Sequence, residues 1–127
     1  MKNKYLLSLL WVIVSGFGIL MAQEIAIIPQ PAHLIVKNES FKFGKQLKVC
    51  IASYRGDSVT LVFDSFKDDF QKATGIKVTS VRSEAKAGIV LSVNQTLAPE
   101  AYKLDVSPKQ IRIEAARPAG FYYALQT

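Results

Sequence analysis

The sequence predicts an α+β fold: one mixed, partly antiparallel sheet with one long helix and a C-terminal helix packed on it. Three observations carry this. Between residues 57 and 74, Val59, Val62, Phe63, Phe66, Phe70 and Ala73 recur at helical spacing, with Asp64, Lys67, Asp68, Gln71 and Lys72 on the opposite side. Short apolar runs bounded by turn residues lie both before and after that helix. Leu104, Val106, Ile111 and Ile113 alternate with charged residues about Ser107-Pro108-Lys109-Gln110, a hairpin that runs directly into Phe121, Ala124 and Leu125 at helical spacing. Strands on both sides of one long helix, with a second helix at the end, make a layer of helices on a sheet.

Residues 1–22 read as a targeting segment. Lys2 and Lys4 give a positive start, Tyr5 to Leu20 is an apolar run broken only by Ser8, Ser15 and glycines, and Met21-Ala22-Gln23 offers a small residue before a cut. The expectation is a secretory signal peptide, and hence a secreted or periplasmic protein with no stable membrane span after cleavage. The competing reading is a transmembrane anchor, since the run is borderline for spanning ~30 Å of hydrocarbon. A lipoprotein signal needs a Cys just after the apolar run, where Gln23 stands.

Residues 23–127 then form one domain, able to bury roughly two-thirds of its unfolded surface without staples. The chain carries a net charge of +6, of which Lys2 and Lys4 supply two. Its basic residues are scattered singly among acids, with no basic run and no stacking aromatics beside them, which argues against a nucleic-acid partner. The single cysteine, Cys50, cannot form an internal disulfide, and in Leu47-Lys48-Val49-Cys50-Ile51 it reads as a buried strand residue.

In chain order, Glu24 to Pro31 is an extended leading segment, kept out of helix and central ladders by Pro29 and Pro31. His33-Leu34-Ile35-Val36 reads as a strand, Lys37-Asn38-Glu39 as a turn, and Ser40 to Phe43 as a short returning strand ended by Gly44. Leu47 to Ala52 is a third strand. Asp57-Ser58 starts the long helix, either side chain able to accept from its free N–H groups, and Gly75 supplies the left-handed residue after Thr74. Asp68 and Lys72 form a favourable pair one turn apart. Ile76 to Val81 is a further strand. Gly88 to Val93 is apolar throughout, which suits a strand buried on both faces. Asn38-Glu39-Ser40 and Asn94-Gln95-Thr96 fit the N-glycosylation pattern but are read as plain turns.

In the hairpin, pairing Ser107 with Gln110 sets Asp105 opposite Arg112 and Lys103 opposite Glu114. The register that buries the apolar face therefore also matches opposite charges. Pro118 suits the first turn of the helix that follows, where a missing N–H costs nothing.

The run from Ala101-Tyr102 through Ile111-Arg112-Ile113 to Ala119-Gly120-Phe121-Tyr122-Tyr123-Ala124-Leu125-Gln126-Thr127 resembles the end of the N-terminal domain of β-N-acetylhexosaminidases, family 20 of the glycoside hydrolases. Ile27-Ile28-Pro29-Gln30-Pro31 resembles the opening of the same domain, so the resemblance covers the chain from about Glu24 onward. It implies a small accessory domain, likened in fold to zinc proteases, that precedes a catalytic (β/α)₈ barrel. It also implies the family's substrate-assisted chemistry, in which the sugar's acetamido group is the nucleophile. An adjacent Asp-Glu pair on the barrel then serves as orienting group and general acid.

The chain's own residues supply no such site. Its only adjacent acids, Asp68-Asp69, lie on a helix whose Asp68 faces solvent, so no catalytic residue is assigned. With one His, His33, and one Cys there is no metal cluster and no triad, and the glycines form no phosphate-cradling loop, so no metal and no cofactor is expected. The expected role is interaction. Phe121, Tyr122, Tyr123 and Leu125 set large side chains around more of the last helix than one sheet face covers, making them candidates to dock on the barrel of the same polypeptide, with that helix continuing beyond Thr127. Glycan substrate is then met through the barrel, and residues 23–127 alone are inactive. The alternative is a free-standing secreted carbohydrate-binding or adhesion module, for which Tyr54 and Tyr102 are the best aromatic candidates outside the last helix.

Overall fold

A computed structural model describes residues 31–52 and 57–127. The expected signal segment, the leading segment through Gln30, and Tyr54 lie outside the described residues, as does the side chain of Asp57. Residues from Pro31 onward form one compact unit. Its elements are β1 (Gln46–Ala52), α1 (Asp57–Thr74), β2 (Lys77–Ser80), a 3-10 turn (Glu84–Lys86), β3 (Ile89–Val93), β4 (Tyr102–Val106), β5 (Ile111–Ala115) and α2 (Pro118–Gln126).

The five strands form one sheet in the order β2-β1-β3-β5-β4, parallel except for the β4–β5 hairpin at one edge. The order explains where the connections run. β2 lies beside β1 on the side away from β3, so the chain moves one way through α1 and returns across β1 to reach β3. Crossovers that share one hand but run in opposite directions must use opposite faces of a sheet. Accordingly, Val59 and Phe63 of α1 pack with Leu47, Val49, Ile89 and Leu91 on one face, and Ala87 packs with Cys50 and Val90 on the other.

β3 is central, and Ile89, Val90 and Leu91 are all buried, as its unbroken apolar run requires. Cys50 is buried in β1 as expected. The hairpin has the expected register, Lys103 facing Glu114 and Asp105 facing Arg112. Its turn is closed by Ser107, whose N–H donates to the Gln110 carbonyl at 3.1 Å, while the Gln110 N–H donates to Ser107 Oγ at the same distance. The charges pair elsewhere, however: Asp105 binds Lys37 at 2.7 Å and Arg112 binds Glu84 at 3.3 Å. Glu114 accepts from Asn94 Nδ2 at 2.8 Å.

Gly75 takes φ +72° after the last turn of α1, the left-handed conformation the sequence called for. Along α1, Val59 and Phe63 are buried, and Val62, Phe66 and Phe70 pack against the core. Ala73 does not belong to that stripe: it is exposed, in the last turn of α1. Asp68 and Lys72 do not close an ion pair, both being free to stay hydrated on the exposed side.

Two strands expected from the sequence are absent. Residues 33–36 and 40–43 join no ladder. Leu34, Ile35 and Val36 are all exposed, so alternation there finds no second layer to bury it. Phe41 and Phe43 are held by rings instead: they meet edge-on at a centroid distance of 5.1 Å, and Phe43 reaches Phe70 of α1 at 5.4 Å. The segment caps the core through aromatic contacts, which need no strand geometry.

Candidate functional site: the outer face of the helical layer

No acidic or basic side chain among the described residues is buried, and none of these residues form a group of three or more potential metal ligands. Asp68 and Asp69 are exposed on α1, and His33 is exposed outside any strand. Among the described residues no helix is long and apolar enough to cross a membrane.

The candidate docking residues divide. α2 is aimed by the hairpin: β5 ends at Ala115, Arg117 is extended, and Pro118 opens the helix without an unused N–H. Gly120 faces inward, where a β-carbon would stand 2.5 Å from the Ala101 carbonyl oxygen and 2.8 Å from the β-carbon of Ala115. Only glycine permits α2 to lie this close to β5. Phe121, next in sequence, is consequently the largest fully buried side chain of the core, at 1% exposure. It is therefore part of the domain's own core. Leu125 is half-buried against the same cluster.

Tyr122 and Tyr123 point outward, 46% and 36% exposed, with their rings 5.8 Å apart and nearly perpendicular. Leu61 of α1, on the helical layer that also carries the tyrosines, is 69% exposed. These three are large apolar or amphipathic surfaces on elements rather than loops. Such surfaces lose little side-chain freedom on meeting a partner. The sequence signal for Leu61 is its place outside the apolar stripe of α1.

Tyr102, the aromatic candidate outside the last helix among the described residues, is half-buried. Its ring packs against the core and its hydroxyl pairs with Thr127 Oγ1 at 2.7 Å. The Asn94 triplet is a closed turn: Asn94 Oδ1 accepts from the backbone N–H and the hydroxyl of Thr96, at 3.1 and 2.6 Å.

Comparison with known proteins gives this surface a context. The family model for glycosyl hydrolase family 20, domain 2, matches residues 24–127. Among solved structures the chain is similar to the family 20 exo-β-N-acetylglucosaminidase of Vibrio harveyi in complex with N-acetylglucosamine, with 31% identity and a TM-score of 0.67 over 78% of this chain and 15% of that one. Two further structures share the fold at 23% identity. One is a chitobiase of Flavobacterium johnsoniae, with a TM-score of 0.64 over 78% of this chain and 17% of that one. The other is a β-N-acetylhexosaminidase of Bacteroides fragilis, with a TM-score of 0.61 over 78% of this chain and 19% of that one. The chain thus spans less than a fifth of the length of each. No curated protein matches it.

Proposed function

Because the chain belongs to glycosyl hydrolase family 20, carrying its domain 2 over residues 24–127, we propose that it is the non-catalytic accessory domain of an exported β-N-acetylhexosaminidase. The enzyme it serves releases terminal N-acetylhexosamine from glycans or chito-oligomers by substrate-assisted retention on a (β/α)₈ barrel. The domain's part is to support that barrel. One observation carries this reading: the chain matches domain 2 of the family and accounts for only 15–19% of the length of the enzymes it resembles. Export rests on the lysine-led apolar run of residues 1–22.

The face offered to the barrel is the outer side of the helical layer, through Tyr122 and Tyr123, with Leu61 a further exposed apolar side chain on α1. Phe121 and Leu125 act indirectly, by fixing the orientation of α2 from within. Truncating an aromatic anchor at an interface core costs about 2 kcal/mol or more, whereas the same change on a free surface is close to neutral.

The test is to change Tyr122 and Tyr123 together to Ser in the barrel-bearing protein and in residues 23–127 alone. In the isolated domain the unfolding midpoint is expected to stay nearly constant. In the larger protein the double change should lower the unfolding temperature and open the domain junction to limited proteolysis. Hydrolysis of an aryl N-acetylglucosaminide is expected from the larger protein and not from residues 23–127. An unchanged junction would remove these tyrosines from the interface, and hydrolysis by the domain alone would overturn its non-catalytic role.

A further inference from the structure

The crossover from β2 to β3 is unusual. A parallel crossover ordinarily carries a helix of several turns. Here the chain crosses β1 with a single 3-10 turn, Glu84–Lys86. That turn closes on itself with only two backbone bonds, Lys86 N–H to the Ser83 carbonyl at 3.1 Å and Ala87 N–H to the Glu84 carbonyl at 3.0 Å.

Side chains of β5 and its turn hold it in place. Gln110 Nε2 donates to the Glu84 carbonyl at 2.8 Å and to the Ala87 carbonyl at 3.0 Å, so one carboxamide grips both ends of the turn. Arg112 fixes that carboxamide by donating from Nη2 to Gln110 Oε1 at 3.0 Å, and its Nη1 reaches Glu84 at 3.3 Å. Beneath the turn lies the second, smaller cluster of the fold, in which Cys50, Ala87 and Val90 are the buried members. Ala87 is the only one of the three that the crossover contributes, so lifting the crossover uncovers this one small cluster and leaves the larger core closed.

We propose that residues 83–87 are a strap that opens as a local unit over the second face of the sheet, with the Gln110 carboxamide as its latch, and that this opening is what admits solvent and reagents to the Cys50 thiol. The hinge is Gly88, whose N–H donates to the Lys48 carbonyl and whose carbonyl accepts from Ile111 N–H, both at 2.8 Å. Opening breaks the two donations of Gln110 and the Arg112–Glu84 pair and leaves the ladder intact. The ion pair is half exposed at both ends, so it contributes little, and the latch is the carboxamide. With the strap closed the thiol is 2% exposed, and burial together with the neighbouring Glu84 carboxylate holds its pKa above the ordinary value.

Cys50 is the only cysteine of the chain, so its reaction with a water-soluble aromatic disulfide reports the opening directly. Labelling of the full chain below the unfolding transition is expected to be slow and nearly independent of urea. Gln110→Ala should label at least about tenfold faster, and its unfolding midpoint should fall by no more than that same loss accounts for, since two hydrogen bonds are lost without loss of core. Glu84→Ala should accelerate labelling less than Gln110→Ala. Parental labelling in a folded Gln110→Ala, or labelling that follows the full urea dependence of global unfolding, would overturn the strap. Should Gln110→Ala not fold, amide exchange of the parent decides. Exchange of Lys86 and Ala87 faster than that of Val90 and Leu91, at the opening rate seen by labelling, supports the proposal, and exchange of all four at the global rate refutes it.

Discussion

Gly120 shows how one residue sets a helix against a sheet. A methyl group there meets a backbone carbonyl at 2.5 Å, and the Ala101 backbone cannot turn aside as a flexible side chain would. Gly120→Ala is therefore expected to destabilise by about 2–3 kcal/mol through overpacking. Gly75 is a glycine for a different reason: its surroundings are open, and only φ +72° excludes other residues. Gly75→Ala should cost only about 1 kcal/mol. Urea midpoints of the two variants measure the contrast, and equal losses would contradict it. Cys50 makes a prediction of opposite character. An unfolded thiol titrates near pH ~8.5, and in the fold burial first and Glu84 second push that value up. The native state then keeps a proton that the unfolded state releases. The stability linked to Cys50 is complete below about pH 8 and falls as pH rises through the folded value. Cys50→Ala should flatten the decline in urea midpoint above about pH 8, and a decline parallel to the parent's would rule the linkage out. Lys37, whose pKa Asp105 raises by a hydrogen bond and by charge, loses its pairing in the same direction with rising pH, but that pair is exposed at both ends and weighs little.

At the scale of elements, α1 shows what periodicity reads well and where it stops. Its apolar stripe is a statement about one face, and Val59 and Phe63 occupy that face fully. Phe63→Ala is expected to cost about 3–4 kcal/mol, and Leu61→Gln less than about 0.5 kcal/mol, in the isolated domain. Comparable losses at both positions in thermal unfolding would contradict this division. The stripe failed at Ala73, which is exposed in the last turn of α1. The hairpin was legible to the residue, because apolar alternation, charge matching and the Ser107–Gln110 turn all select one register. Residues 33–36 and 40–43 were not legible. Alternation is the same whether or not a neighbouring strand exists, and here Phe41 and Phe43 reach the core by ring packing without one.

For the whole molecule, the family is clear and the surface proposed for docking is narrow. Of the four aromatic and aliphatic side chains that crowd α2, one fills the core, one lines it, and two remain outside. Helical spacing alone could not divide them, since it reports the angle about an axis and not how deeply that axis is sunk. The depth is set by Gly120 against Ala115 and Ala101, residues that approach only when the sheet is assembled. What the chain wrote locally was the class of each strand and each α-helix from β1 onward, the hairpin register and the left-handed end of α1. Those features depend on neighbours within a few residues, or on one pairing that several signals share. Strand order, the use of both sheet faces by the two crossovers, the burial of Phe121 and the strap over Cys50 came from tertiary structure. They depend on which distant segments compete for the same surface, and that competition is resolved only by packing the whole domain at once.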